Sequence, residues 1–188
     1  MINLEWVKDY IDIDDQDLEE LAVKITEAGI NIEKVITNKI DNLVIGKVVS
    51  CINHPDSDHL HLCQVDIGND KLKQIVCGAP NVREGLKVIV ALPGAVLPGD
   101  FAIKSSKIRG VESNGMICAL YELGLEEKND DTYAKGIEEL KDNAPVGKDP
   151  LVYLGLEDTL YELDIHKHRN NDCYYHIGFA YEISAILN

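Results

Sequence analysis

Residues 44–92 read VIGKVVSCINHPDSDHLHLCQVDIGNDKLKQIVCGAPNVREGLKVIVAL, and this stretch decides the fold. Val44–Cys51, Leu60–Ile67, Leu72–Cys77 and Leu86–Leu92 are short runs rich in β-branched residues. Turn residues separate or follow them: His54-Pro55-Asp56, Gly68-Asn69-Asp70, Gly78-Ala79-Pro80-Asn81 and Pro93-Gly94. Runs this short, punctuated by Gly, Pro, Asn and Asp, predict strands joined by tight loops. Met116–Leu120 supplies a fifth run. Five strands in about 80 residues predict a small barrel or sandwich. An oligonucleotide-binding (OB) barrel is the economical description, and other five-stranded barrels share the pattern.

The flanks have a different texture. Before the barrel, Leu4, Val7 and Ile11, with Trp6 and Tyr10, fall at helical spacing behind a candidate N-cap at Asn3. Asp17 followed by Glu20 has the form of a capping box, and Leu18, Leu21, Ala22 and Ile25 make one apolar face that ends at Gly29. Ile30, Ile32 and Val35 then alternate as in a strand. After the barrel, residues 121–150 are acidic and turn-rich, with Lys128-Asn129-Asp130-Asp131 an exposed tip and Ala144-Pro145-Val146-Gly147 a loop. Leu160, Leu163 and Ile165 read as a strand. Ile177–Leu187 reads as a helix on Ile177, Ala180, Tyr181, Ile183, Ser184 and Leu187, reaching Asn188 without a Gly stop, as in a piece of a longer chain.

Composition narrows the class. The 188 residues are 45% apolar and 27% charged, enough for one medium or two small cores. No run approaches the roughly 20 apolar residues of a membrane span, and the start lacks a signal peptide, so no membrane partner and a cytoplasmic location are expected. Five cysteines, none in a C-x-x-C pair, argue for reduced buried thiols rather than a disulfide framework or a four-thiolate zinc site. The net charge of −15 opposes a nucleic-acid partner, but it is uneven: residues 1–38 carry −7, residues 39–110 carry +2 and residues 111–188 carry −10. With a Debye length of about 8 Å at physiological salt, a locally basic face can act while distant acidic faces are screened.

Three clusters are chemically suggestive. His54, His59 and His61 with Asp56, Asp58 and Cys63 follow no standard zinc spacing, and a turn built by Pro55 and Asp56, with Asp58 accepting backbone N–H groups, is the simpler reading. His166, His168, Asp172, Cys173 and His176 lack fixed geometry in the same way. Neither cluster supplies a nucleophile, base and orienter, so no catalytic residue and no metal site is expected. The third cluster, Lys104 to Met116, has three cations in six residues (Lys104, Lys107, Arg109), hydrogen-bonding groups at Ser105, Ser106, Ser113 and Asn114, and glycines at 110 and 115. A polar, basic loop beside an OB barrel suits contact with phosphate and sugar of single-stranded or looped RNA. Only Phe101 lies near in sequence, so phosphate or shape recognition is expected over base stacking.

The order of motifs resembles a known family. Val44-Ile45-Gly46-Lys47-Val48, His54-Pro55-Asp56-Ser57-Asp58-His59-Leu60, Ile75-Val76-Cys77-Gly78-Ala79-Pro80-Asn81-Val82, Lys107 through Met116 and Glu122-Leu123-Gly124 resemble the tRNA-binding OB-fold module. The flanks, Trp6-Val7-Lys8-Asp9-Tyr10, Thr26 through Glu33 and Gly178 through Leu187, are similar to the N-terminal region of the bacterial phenylalanyl-tRNA synthetase β subunit. The resemblance implies an α+β, mainly β fold: a five-stranded OB barrel (39–150) inserted into a small α+β domain formed by residues 1–38 and 151–188. It implies tRNA and the synthetase α subunit, in an α2β2 assembly, as partners. ATP and Mg2+ would serve the whole enzyme, and no cofactor would serve this region. It places the RNA-contacting face on Lys104, Ser105, Lys107, Arg109, Ser113, Asn114 and Met116. Two departures stand out: His59 replaces the usual lysine before the leucine of the His-Pro segment, and His166-Lys167-His168-Arg169 replaces a Thr-Pro-Asn-Arg run. The competing readings are a protein-interaction scaffold, a free-standing tRNA-binding protein and, least supported, a metal-dependent enzyme.

Overall fold

The computed structural model describes residues 1–165, 173 and 175–187. In chain order the first half runs β1 (Ile2–Asn3), α1 (Leu4–Val7), α2 (Leu18–Glu27), β2 (Asn31–Thr37), β3 (Leu43–Asn53), β4 (His61–Asp66), β5 (Lys73–Cys77) and β6 (Lys87–Ala91). The second half runs β7 (Val96–Leu97), β8 (Phe101–Ala102), β9 (Ser106–Ile108), β10 (Val111–Ser113), β11 (Met116–Cys118), α3 (Asp130–Lys135), β12 (Glu139–Leu140), α4 (Pro150–Leu154), β13 (Thr159–Asp164) and α5 (His176–Leu187). The chain divides into two compact units, Met1–Lys39 with Leu156–Asn188, and Ile40–Gly155.

The first unit is built on a three-stranded antiparallel sheet of order β1-β13-β2. Asp17 caps α2 as its sequence requires, its Oδ1 accepting from the Glu19 and Glu20 N–H groups at 3.0 Å each. The helix presents Leu21, Ala22 and Ile25 to a core that also holds Tyr161 from β13 and Phe179, Ala180 and Ile183 from α5. Tyr161 meets Phe179 edge to face, with ring centroids 6.3 Å apart, and its hydroxyl donates to the Leu18 carbonyl. Two expectations are corrected here. Asn3 does cap a first helix, but that helix ends at Val7, leaving Trp6 and Tyr10 exposed. In α5 the buried face is Phe179, Ala180 and Ile183, while Ile177 and Tyr181 face solvent. A helix apolar nearly all round gives its period no contrast to reveal the inner side.

The second unit contains the five runs read from sequence, as an antiparallel sheet of order β11-β6-β3-β4-β5. Strand β3 serves two neighbours: Leu43–Lys47 pair with β6 and Lys47–Asn53 pair with β4, with a register shift between Val48 and Ser50. A bulge there bends the strand and increases its twist. Gly46 sits at this crossing, where an added Cβ would lie 2.6 Å from Val65 Cγ1 and 2.8 Å from Val90 Cγ2. Strand β6 reads as an unbroken apolar run because both of its faces are covered: Ile89 and Ala91 belong to one core cluster, Val88 and Val90 to another. The sheet curls until β11 comes close to β5. No backbone ladder joins those two strands; the Asn114 N–H donates to the Gln74 carbonyl at 2.8 Å instead.

Elements absent from the sequence reading lie between and after the last strands. They are the β7–β8 and β9–β10 hairpins, β12 along the outer edge of β6, α3 and α4. The unit runs to Gly155 rather than ending at 150, because Leu151 of α4 is buried in the same cluster as Ile45 and Ile89.

Candidate nucleic-acid interface

The basic segment is a β-hairpin rather than an open loop. Strands β9 and β10 pair Ser106 with Ser113, Lys107 with Glu112 and Ile108 with Val111, and Arg109-Gly110 forms the two-residue turn. Both turn residues have positive φ, 46° and 83°, the signature of a type I′ hairpin. Arginine rarely occupies that position, and its guanidinium is held as well: Nη1 donates to the Asp56 carbonyl at 2.8 Å.

The His-Pro-Asp segment explains why the hairpin stands where it does. His54 is buried, its Nε2 lies 3.2 Å from the Ile108 carbonyl, and its Nδ1 accepts the Asp56 N–H at 3.1 Å. A carbonyl only accepts and an N–H only donates, so His54 is the neutral Nε2–H tautomer with both nitrogens engaged. Within the turn His54 accepts a backbone N–H, the part expected of Asp58, and its other nitrogen latches the turn to the hairpin tip. Among the described residues no three His, Cys, Asp or Glu side chains gather as a metal site would require. The second histidine cluster, His166 to Asp172, lies outside the described residues. Of its neighbours, Cys173 is buried and His176 Nε2 accepts the Asn3 N–H at 3.0 Å.

The residues expected on the RNA face separate into groups. Lys104, Ser105, Lys107 and Arg109 are exposed, and Asn114 and Met116 are half-buried. Ser113 is 1% exposed, its Oγ accepting the Val76 N–H at 3.0 Å and donating to the Gly115 carbonyl at 3.0 Å. Its hydroxyl is spent on joining β5 to the 113–116 segment, so Ser113 is removed from the contact face. The three cations also diverge: Lys107 lies opposite Glu112, Arg109 is tied to Asp56, and Lys104 lines a cavity.

That cavity, of about 950 Å³, was not foreseen. Phe101, Met116, Tyr121 and Tyr133 bring aromatic and thioether groups to it from four separate segments, and Ser106 and Ile108 add one face of the hairpin. Lys128 Nζ lies 5.5 Å from the Tyr121 ring centroid and 5.9 Å from that of Tyr133, within cation–π range. Glu122 also lines the cavity. Its Oε2 accepts the Ala119 N–H at 2.8 Å, and partial burial raises its pKa, against the lowering effects of that bond and of Lys128. The nearby thiols are inert: burial pushes Cys77 up to about 11 and Cys118 up to about 12.

Residues 43–149 match the family described as "Putative tRNA binding domain". The chain belongs to this tRNA-binding domain family. It is 47% identical over 190 residues to the phenylalanine–tRNA ligase beta subunit of Geobacillus kaustophilus, covering 100% of this chain and 24% of that protein. It is 46% identical over 190 residues to the same subunit of Bacillus subtilis, with the same coverage. The chain thus spans about a quarter of the length of these curated relatives. Among solved structures, a MetRS-related protein from Pyrococcus horikoshii is 24% identical, covers 56% of this chain and 84% of its own, and has a TM-score of 0.41. The cavity, the latch and the exposed lysines all fall within the tRNA-binding domain. Among the described residues, no helix is long and apolar enough to cross a membrane.

Proposed function

We propose that this chain is the N-terminal tRNA-binding and architectural region of a phenylalanyl-tRNA synthetase β subunit. Identity of 47% across the whole chain to such subunits is the observation that carries the reading. In it, the curled sheet of residues 40–155 is an OB-type barrel, inserted in the small α+β domain of the flanking segments. Phenylalanine attachment, with its ATP, Mg2+ and α-subunit partner in an α2β2 assembly, belongs to the complete cytoplasmic enzyme. The residues of this chain supply RNA contact without catalysis, through Lys104, Ser105, Lys107, Arg109, Asn114 and Met116.

Titration of the chain with folded tRNA at about 50 and 200 mM salt tests this. Three phosphate contacts would give a log–log salt slope of about −2 to −3. Changing Lys104, Lys107 and Arg109 together to Ala should weaken binding and flatten that slope. Unchanged affinity and slope in the triple variant would move the contact face elsewhere.

A second reading, a protein-interaction scaffold, is favoured by the first unit. Trp6 (61% exposed), Tyr10 and Tyr181 (71% exposed) present large apolar surface there. Such residues suit burial against another part of a synthetase, and absence of tRNA binding at low salt would favour this role.

A further inference from the structure

The cavity beneath the basic hairpin has the chemistry of a nucleobase site. At about 950 Å³ it lies in the size range of small-molecule pockets, and its lining is mainly apolar and aromatic with few polar groups. Phe101 and Tyr133 are largely exposed, and with Lys128 Nζ over one face of the Tyr133 ring they offer aromatic surface to an incoming planar group. Unstacked bases of single-stranded RNA are held on such rings. Lys104 lines the same cavity and Lys128 lies over two of its rings, which places positive charge where the flanking phosphates would run.

Glu122 adds selectivity. An ionised carboxylate only accepts hydrogen bonds, and it can take two donors side by side. Guanine presents N1–H and N2–H as adjacent donors on its Watson–Crick edge. Adenine and cytosine each set an acceptor beside their donor, and uracil flanks its one donor with two acceptors, so each would point a lone pair at the carboxylate. The Ala119 N–H occupies Oε2 and fixes the side chain's orientation.

We propose that this cavity takes an unstacked guanine from a single-stranded or looped RNA segment, stacked on Phe101 and Tyr133 and read by the Glu122 carboxylate. The proposal rests on the tRNA-binding reading and names the base which that site selects.

The test is fluorescence anisotropy of labelled uridine hexamers at about 50 mM salt, unmodified or with guanosine, inosine or adenosine at position four, alongside folded tRNA. The guanosine hexamer should bind about 5- to 100-fold more tightly than the uridine and adenosine hexamers, the range a bidentate base contact provides. Inosine keeps N1–H and lacks the amino group, so it should fall between. Glu122→Gln retains an acceptor for the Ala119 N–H and should fold; it should lose the guanosine preference and, with the carboxylate charge gone, bind the uridine and adenosine hexamers at least as tightly as the parent. Tyr133→Ala, at an exposed position, should weaken all hexamers several-fold. Salt-sensitive tRNA binding without guanosine preference, or a preference that survives Glu122→Gln, would overturn the guanine site and leave the tRNA-binding reading standing. Failure of every RNA to bind would overturn both.

Discussion

Replacing Ser113 with Ala should cost far more than its place in a polar, basic segment suggests. The hydroxyl makes two hydrogen bonds, from the Val76 N–H and to the Gly115 carbonyl, each 3.0 Å long, in a residue 1% exposed. Each bond contributes about 1 kcal/mol net, and leaving the buried Val76 N–H without an acceptor adds about 1 kcal/mol or more. The expected loss is therefore about 2–4 kcal/mol. With a urea m value of about 2 kcal/mol/M, the unfolding midpoint followed by far-UV circular dichroism should drop by about 1–2 M. Ser105→Ala is the control: that residue is exposed, and its substitution should stay within about 0.5 kcal/mol of the parent. If the two variants unfold at the same midpoint, Ser113 does not join β5 to the 113–116 segment as described.

Four other perturbations test separate parts of the structure. His54→Ala deletes the latch and should cost about 1–2 kcal/mol, with amide exchange at Ile108 and Val111 about tenfold faster or more; unchanged exchange would remove the latch role. Gly46→Ala should destabilise by about 1–3 kcal/mol, because its methyl would press on Val65 and Val90 at the strand crossing; a thermal melt matching the parent would show that the crossing yields freely. In the native protein only Cys51, the half-buried thiol, should react rapidly with a thiol reagent at pH 8, while Cys63, Cys77, Cys118 and Cys173 stay protected until unfolding, and more than one fast thiol would contradict the burial. Glu122 has a pKa raised by burial, so the folded state holds its proton more tightly than the unfolded chain, and its contribution to stability falls as pH rises through the carboxylate range. Melting temperatures should therefore show Glu122→Gln gaining on the parent between pH 4 and pH 7, whereas a constant difference would refute that sign.

Where burial is strong, the sequence was readable. The five runs of the curled sheet announce themselves because β3 to β6 put β-branched residues into cores on one face or both, and Gly or Pro closes them. The β9–β10 hairpin did not, since its strands are mostly exposed and its turn is Arg109-Gly110 rather than Asn-Gly or Asp-Gly. Residue type placed Ser113 on the surface, yet the alternation of β10 turns it inward while Glu112 faces out. The aromatic cavity was invisible for another reason: Phe101, Tyr121 and Tyr133 are far apart along the chain, and no local pattern records that the segment after β11 folds back past them. An acidic, turn-rich stretch gave no cue beyond exposure, though Asn129 capping α3 through the Thr132 N–H was available to find.

Strand β13 is the middle member of its sheet, with β1 on one side and β2 on the other, although β2 ends at Thr37 and β13 begins only at Thr159. At the neck, Asn38 Oδ1 accepts the Asp158 N–H at 2.8 Å and its side-chain amide donates to the Leu156 carbonyl. During vectorial synthesis at about 5–20 residues per second, the first two strands of that sheet would emerge several seconds before the strand that holds them together. Closing so long a loop in a disordered chain carries an entropy cost that grows with its length, whereas a unit already folded between Ile40 and Gly155 shortens the loop to be closed. The topology therefore favours one order of assembly, in which the interior of the chain folds first and its frame closes after it.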